Sequence, residues 1–195
     1  MDIIVIGIGG NGQSYFMNYL QKKSFRINHL TDKDRLKHIS CPSKLSVQHK
    51  NCKIIYVYNK TFDAICSHYR RNWAVTQMRK INTKNTCRIT KVEKYFELTE
   101  SSLYDHFGCK DHFLRWYNYD FSNNIYFLNL NNIHKYELSK FLNCDKSIFD
   151  NLIFDSTKRT NYNDLKNKYP QSNIMYTKID NYINDLSMHR NQNSL

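Results

Sequence analysis

Three short apolar runs divide the chain. Ile3 to Ile6 is continuous and stops at Gly7, "CKIIYVY" covers Cys52 to Tyr58, and "NIYFLNL" covers Asn124 to Leu130. Runs of this length, closed by glycine or asparagine, are the pattern of strands buried on both faces. The stretches between them change period. Ser14 to Lys23 sets Phe16, Met17 and Leu20 on one side of a helix, "TFDAICSHYRRNWAVTQ" (Thr61 to Gln77) reads as one longer helix, and Lys135 to Leu142 as another. Buried strands alternating with helices predict the α/β class: a single-domain three-layer sandwich with a mostly parallel sheet flanked by helices. The domain is expected over residues 1–188, with His189 to Leu195 a loose polar tail. The charged segment from Thr31 to Lys37 is expected to be weakly ordered. With two prolines and five glycines, no linker or repeat stands out.

Composition narrows the class. Apolar residues make up 41% of 195 residues, enough for a real core. No run approaches the roughly 18 apolar residues of a membrane span. No basic segment precedes the first apolar stretch, which argues against a secretory signal. The six cysteines are scattered without a C-x-x-C pair, as expected of reduced thiols in a cytoplasmic protein. The formal net charge of +12 attracts anions. Nucleic acid is the plainest partner for such a charge, but the cations run along the whole chain and form no nucleic-acid module.

The candidate chemistry starts at the glycines. Gly7, Gly9, Gly10 and Gly12 lie between the first strand and first helix, and Gly7 to Ser14 has the spacing G-x-x-x-x-G-x-S. Such a turn points backbone N–H groups into one small volume, the helix N-terminus adds positive potential, and the Ser14 hydroxyl adds a donor. The plainer reading is a tight turn that only closes strand on helix. Gln13 stands where a nucleotide hydrolase has its lysine, and no strand ends in the aspartate that would hold magnesium, so ATP or GTP hydrolysis is not expected. G-x-G-x-x-G is present (Gly7, Gly9, Gly12), but the first acidic candidate after "SFRINHL" is Asp32 in a polar stretch, which disfavours a dinucleotide. Asp105-His106 and Asp111-His112 invite a metal, but their spacing fits no usual cage, and no metal is expected.

Leu36 to Arg71, "LKHISCPSKLSVQHKNCKIIYVYNKTFDAICSHYRR", resembles the sulfotransferase family, and its cytosolic branch most closely. Lys37-His38 and Pro42 look like the family's K-T-H-L-P turn, Cys52 to Tyr58 like its next strand, and Asp63, Ser67 and Tyr69 like its R-N-P-K-D-x-x-x-S helix opening. "GGNGQS" (Gly9 to Ser14) sits over the family's modified phosphate loop P-[KR]-S-G-T-T, with Gly12 and Ser14 matching. Further on, His112, Trp116, Ile125 to Leu130 and Phe141-Leu142 resemble its H-x-x-x-W, strand and F-L-G sequence. The resemblance covers roughly residues 3 to 145. It implies a P-loop-type fold and transfer of a sulfuryl group from the donor PAPS (3′-phosphoadenosine 5′-phosphosulfate) to a hydroxyl or amine. It further implies His38 as general base, Gly9, Gly10, Asn11, Gly12, Gln13 and Ser14 around the 5′-phosphosulfate, and Asn59 and Ser67 at the 3′-phosphate. The chain departs from the family at Gly10 (lysine or arginine there), at Asn59 (arginine), and at Asn131-Asn132 (an acidic pair). The family's C-terminal G-x-x-G-D-W-K donor loop is absent, with Lys158 and Arg159 in a comparable region. Lys37, Lys60, Arg70 and Arg71 are near enough in sequence to make good the missing cations. Two other readings stay open: a catalytically degenerate protein of the same fold that binds a nucleotide or anionic ligand, and a basic nucleic-acid-binding protein.

Overall fold

The computed structural model describes residues 2–83, 88–155 and 160–193. Its centre is a parallel sheet of β1 (Ile3–Ile6), β2 (Lys53–Tyr58) and β3 (Ile125–Asn129), hydrogen-bonded in the order β1-β2-β3. Ile4 pairs with Ile54 and Ile54 with Ile125, so the three apolar runs lie side by side. The "SFRINHL" segment runs along β1 without forming a strand: Arg26 O accepts the Ile3 N–H at 3.2 Å, Ile27 makes an isolated bridge to Ile3, and the Asn28 carboxamide binds the Val5 N–H and C=O at 2.7 and 3.0 Å.

Successive side chains along a strand point to opposite faces, and the core divides accordingly. Ile3, Val5, Ile55, Val57, Tyr126 and Leu128 pack on one face against Phe16, Met17 and Leu20 of α1 (Gln13–Lys22) and Leu138, Phe141 and Leu142 of α7 (Lys135–Leu142). Ile4, Ile6, Ile54, Tyr56, Tyr58, Ile125 and Phe127 take the other face. Five helices cover it: α3 (Thr61–Arg70), α4 (Ala74–Ile81), α5 (Val92–Ser102), α6 (Cys109–Tyr117) and α9 (Pro170–Asn193). Two short helices, α2 (Val47–Lys50) and α8 (Asn163–Lys168), lie between these elements in the chain. The α/β class, the parallel pairing and the flanking helices agree with the sequence pattern.

Three expectations are corrected. The stretch Thr61 to Gln77 is two helices, because Asn72 takes φ 57° and turns the chain between α3 and α4. The charged segment after Thr31 is a tightly bonded loop in which Asp32 accepts the Lys37 N–H at 2.9 Å and Asp34 accepts those of His29 and Leu36 at 2.5 and 3.2 Å. His189 to Asn193 belongs to α9, and the buried Asn191 side chain bridges the Phe127 N–H and C=O at 3.0 and 2.9 Å. A polar sequence is no bar to order where its side chains meet an open strand edge. No described helix is long and apolar enough to cross a membrane. The described cysteines Cys41, Cys52, Cys66, Cys109 and Cys144 are free thiols, and Cys87 lies outside the described residues.

Candidate functional site

The glycine loop runs from the end of β1 into the first turn of α1. Gly9 and Gly12 have φ 74° and 96°, a region that L side chains rarely adopt. A Cβ on Gly9 would lie 2.7 Å from His38 Cε1 and 3.1 Å from His68 Cε1, so the missing side chain lets two imidazoles close on the loop. Asn11 is fully buried and fastens the loop to β2. Its Nδ2 donates to Val57 O at 2.9 Å, and its Oδ1 accepts the Gln13 N–H at 3.3 Å. The Gln13 carboxamide turns inward and donates to Val5 O and Lys37 O, both at 3.1 Å. The N–H groups of Gly9, Gly12 and Ser14 have no acceptor among the described residues.

A lysine does reach this loop, from elsewhere in the chain. Lys37 Nζ donates to Ser14 Oγ at 2.7 Å and to Leu30 O at 2.8 Å, with most of its stem buried. Burial pulls its pKa below the ordinary lysine value, opposed by the Asp32 carboxylate. Next to it, His38 Nδ1 lies 2.9 Å from Gly7 O. A carbonyl only accepts, so Nδ1 carries the proton in the neutral ring and Nε2 keeps a lone pair. Nε2 has no partner among the described residues. Burial lowers the His38 pKa to about 4, against the Gly7 hydrogen bond, which raises it.

The end of α3 supplies the opposite wall. Ser67 is buried, and its carbonyl accepts the Arg71 Nε–H at 3.0 Å. The Arg71 guanidinium lies 4.9 Å from the ring centre of Trp73, which is 58% exposed. His68 Nε2 donates to Ile8 O at 3.0 Å, and burial, followed by the Arg71 charge, lowers its pKa to about 3. Together these residues enclose an open cleft of about 180 Å³. Two cations and the start of a helix converge on it, with no carboxylate among its described lining residues, so it is suited to an anion.

The sequence candidates thus separate. Gly9, Gly10, Gly12, Gln13, Ser14, Lys37, His38, Ser67 and Arg71 come together around the cleft. Asn11 supports it from behind. Asn59 does not line it: its carboxamide binds Asn11 O at 3.4 Å, the Lys60 N–H at 2.7 Å and Asn131. Asn59, Lys60, Asn131 and Asn132 line a separate polar cleft at the ends of β2 and β3. Arg70 is exposed away from the cleft, and Lys158 and Arg159 lie outside the described residues. The D-H pairs hold the core: Asp105 accepts the Gly108 and Lys110 N–H groups at 3.0 and 2.9 Å, while His112 accepts from Tyr56 Oη at 2.8 Å and donates to Ile39 O at 3.0 Å. Among the described residues no three metal-type ligands converge. Sequence reading missed His68 and Trp73, and the usable signal was Asn72, a residue that tolerates the left-handed turn that ends α3 and releases Trp73 to the surface. No family model, no curated protein and no solved structure matches the chain.

Proposed function

We propose that the glycine-loop cleft binds the phosphosulfate of PAPS and that the chain transfers its sulfuryl group to a hydroxyl or amine, with His38 as general base. The observation that carries this reading is the juxtaposition of an imidazole whose Nε2 is unengaged with a loop of open backbone donors and the Lys37 ammonium. The acceptor oxygen or nitrogen would attack sulfur, and its proton would pass to His38 Nε2. The bond from sulfur to the bridging oxygen would break, leaving adenosine 3′,5′-bisphosphate. Donors fixed in the loop would meet the charge that grows on the leaving phosphate without reorganising, where such contacts act most strongly. Trp73, exposed at the rim, offers an aromatic face for a nucleobase.

The position of Asn59 favours a second reading. With its carboxamide held by Asn11, Lys60 and Asn131, Asn59 does not supply the charge that the resemblance implies at the 3′-phosphate. A binder without turnover would have this arrangement. One experiment separates the two. Adenosine 3′,5′-bisphosphate should raise the melting temperature in both cases, whereas sulfuryl transfer from labelled PAPS to a mixture of alcohols and amines should occur only in the first. His38→Ala should abolish transfer and keep the thermal shift. The absence of any shift in the wild type would reject both.

A further inference from the structure

His38 lines a second cleft on its other side. This one has a volume of about 400 Å³ and is walled by Arg35, Lys44, Arg79 and Lys80, with Asp32 as the one carboxylate among its described lining residues. Asp32 is already engaged, by Lys80 Nζ at 2.7 Å and by the Lys37 N–H at 2.9 Å. Arg35, Lys44 and Arg79 have no acidic partner among the described residues. Four cations face this one concavity, whose walls focus the field they create.

The cleft is also held in shape from within. Beneath it, His112 Nε2 donates to Ile39 O and Arg115 Nε to Ser40 O, both at 3.0 Å. Asp32 and Arg35 sit at φ 61° and 60°, a left-handed conformation that is unfavourable for most non-glycine residues, Arg35 above all, and that surrounding bonds hold in place. The loop therefore spends stability to present Arg35 on the same side as Arg79.

We propose that this basic cleft is the acceptor side of the site and selects acceptors that carry an anionic group, a phosphate, sulfate or carboxylate, besides the hydroxyl or amine offered to His38. The inference rests on the proposed transfer reaction for its meaning, but the anion site itself can be tested apart from it. His38 lines both clefts, so an anion held by Arg35 and Arg79 would leave the uncharged end of the same small molecule to reach the imidazole. An uncharged alcohol would gain nothing from these side chains, so the cleft discriminates by charge.

The test is calorimetric titration with inorganic pyrophosphate at about 150 mM salt, where loose surface attraction is screened over about 8 Å. Wild-type protein saturated with adenosine 3′,5′-bisphosphate should still bind one equivalent of pyrophosphate. In the Arg35→Ala/Arg79→Ala double variant that affinity should fall at least tenfold, while the bisphosphate binds as in the wild type. Lys44→Gln, which leaves the left-handed loop residues untouched, should give a smaller loss in the same direction. If bisphosphate fails to bind but pyrophosphate binds in an Arg35- and Arg79-dependent way, the transfer reading falls and the anion site stands. If the wild type takes up no pyrophosphate, or wild type and double variant bind it equally, the proposal is overturned, whatever the bisphosphate does.

Discussion

A lysine in a phosphate loop neutralises charge on the outer phosphate oxygens, and a glutamine at position 13 has no charge for that task. In the fold Gln13 has a different task, tying β1 to the loop before His38, while an ammonium arrives at Ser14 from 23 residues further along the chain. Lys37→Met keeps the buried stem and removes only that charge. If the cleft binds the donor as proposed, losing one charge-assisted contact, about 1.5–3 kcal/mol, should weaken adenosine 3′,5′-bisphosphate by roughly ten- to a hundredfold. Titration of wild type and variant checks it, and equal affinities would remove Lys37 from the site. Lys37 was legible in the sequence as a candidate by its nearness to His38. Its contact with Ser14 was not, because that contact depends on how the loop between Asn28 and Leu36 is wound.

Helix ends decide where the site's walls stand. α3 stops at Arg70 because Asn72 turns left-handed, and that stop sets Arg71 against Trp73. Helical periodicity runs on through this point, which is why the sequence reads as one helix: period reports which side is buried, not where the backbone turns. A similar left-handed cap ends α5, where Leu103 has φ 50° and ψ 37°. Leucine is poorly suited to this conformation, and Leu103 is 58% exposed, so it recovers little by packing. Leu103→Gly should therefore stabilise the protein by about 0.5–1 kcal/mol even after the added freedom of the unfolded chain is counted. Thermal denaturation should show a rise of roughly 1–4 °C. A fall would mean that the Leu103 side chain contributes contacts that outweigh the strain.

Across the whole molecule, burial sets the response to acid. His38, His68 and His112 have their pKa values lowered to about 4, 3 and 3, burial being the largest cause in each. A histidine with a depressed folded-state value is neutral in the fold and protonated once unfolded below about pH 6.5, so its contribution is present above that pH and lost as pH falls towards 4. Asp180, raised by burial to about 7, works the other way, binding a proton in the fold that the unfolded chain releases above about pH 4. Asp105 is raised by burial in the same direction as Asp180. The three histidines outweigh the two carboxyls. Unfolding near pH 5 should take up about one to two protons, and stability should drop by about 1.4–2.7 kcal/mol per pH unit there. Urea denaturation between pH 4.5 and 7.5 measures this. Asp180→Asn keeps an oxygen acceptor for Thr61 and should steepen the loss by about one proton.

What the sequence determined by itself was local: three apolar runs of strand length closed by glycine or asparagine, the helical faces of α1 and α7, and a turn whose left-handed positions are held by glycine. Each follows from the period of burial or the sterics of a single residue. Only the tertiary structure decided that Lys37 and Arg71 line the cleft at the glycine turn while Asn59 lies outside it behind Asn11, that a charged loop is firmly wound, and that four scattered cations line one cleft beside His38. Those are relations between residues tens of positions apart, and they are set by how the layers pack on the sheet, which no spacing along the chain encodes.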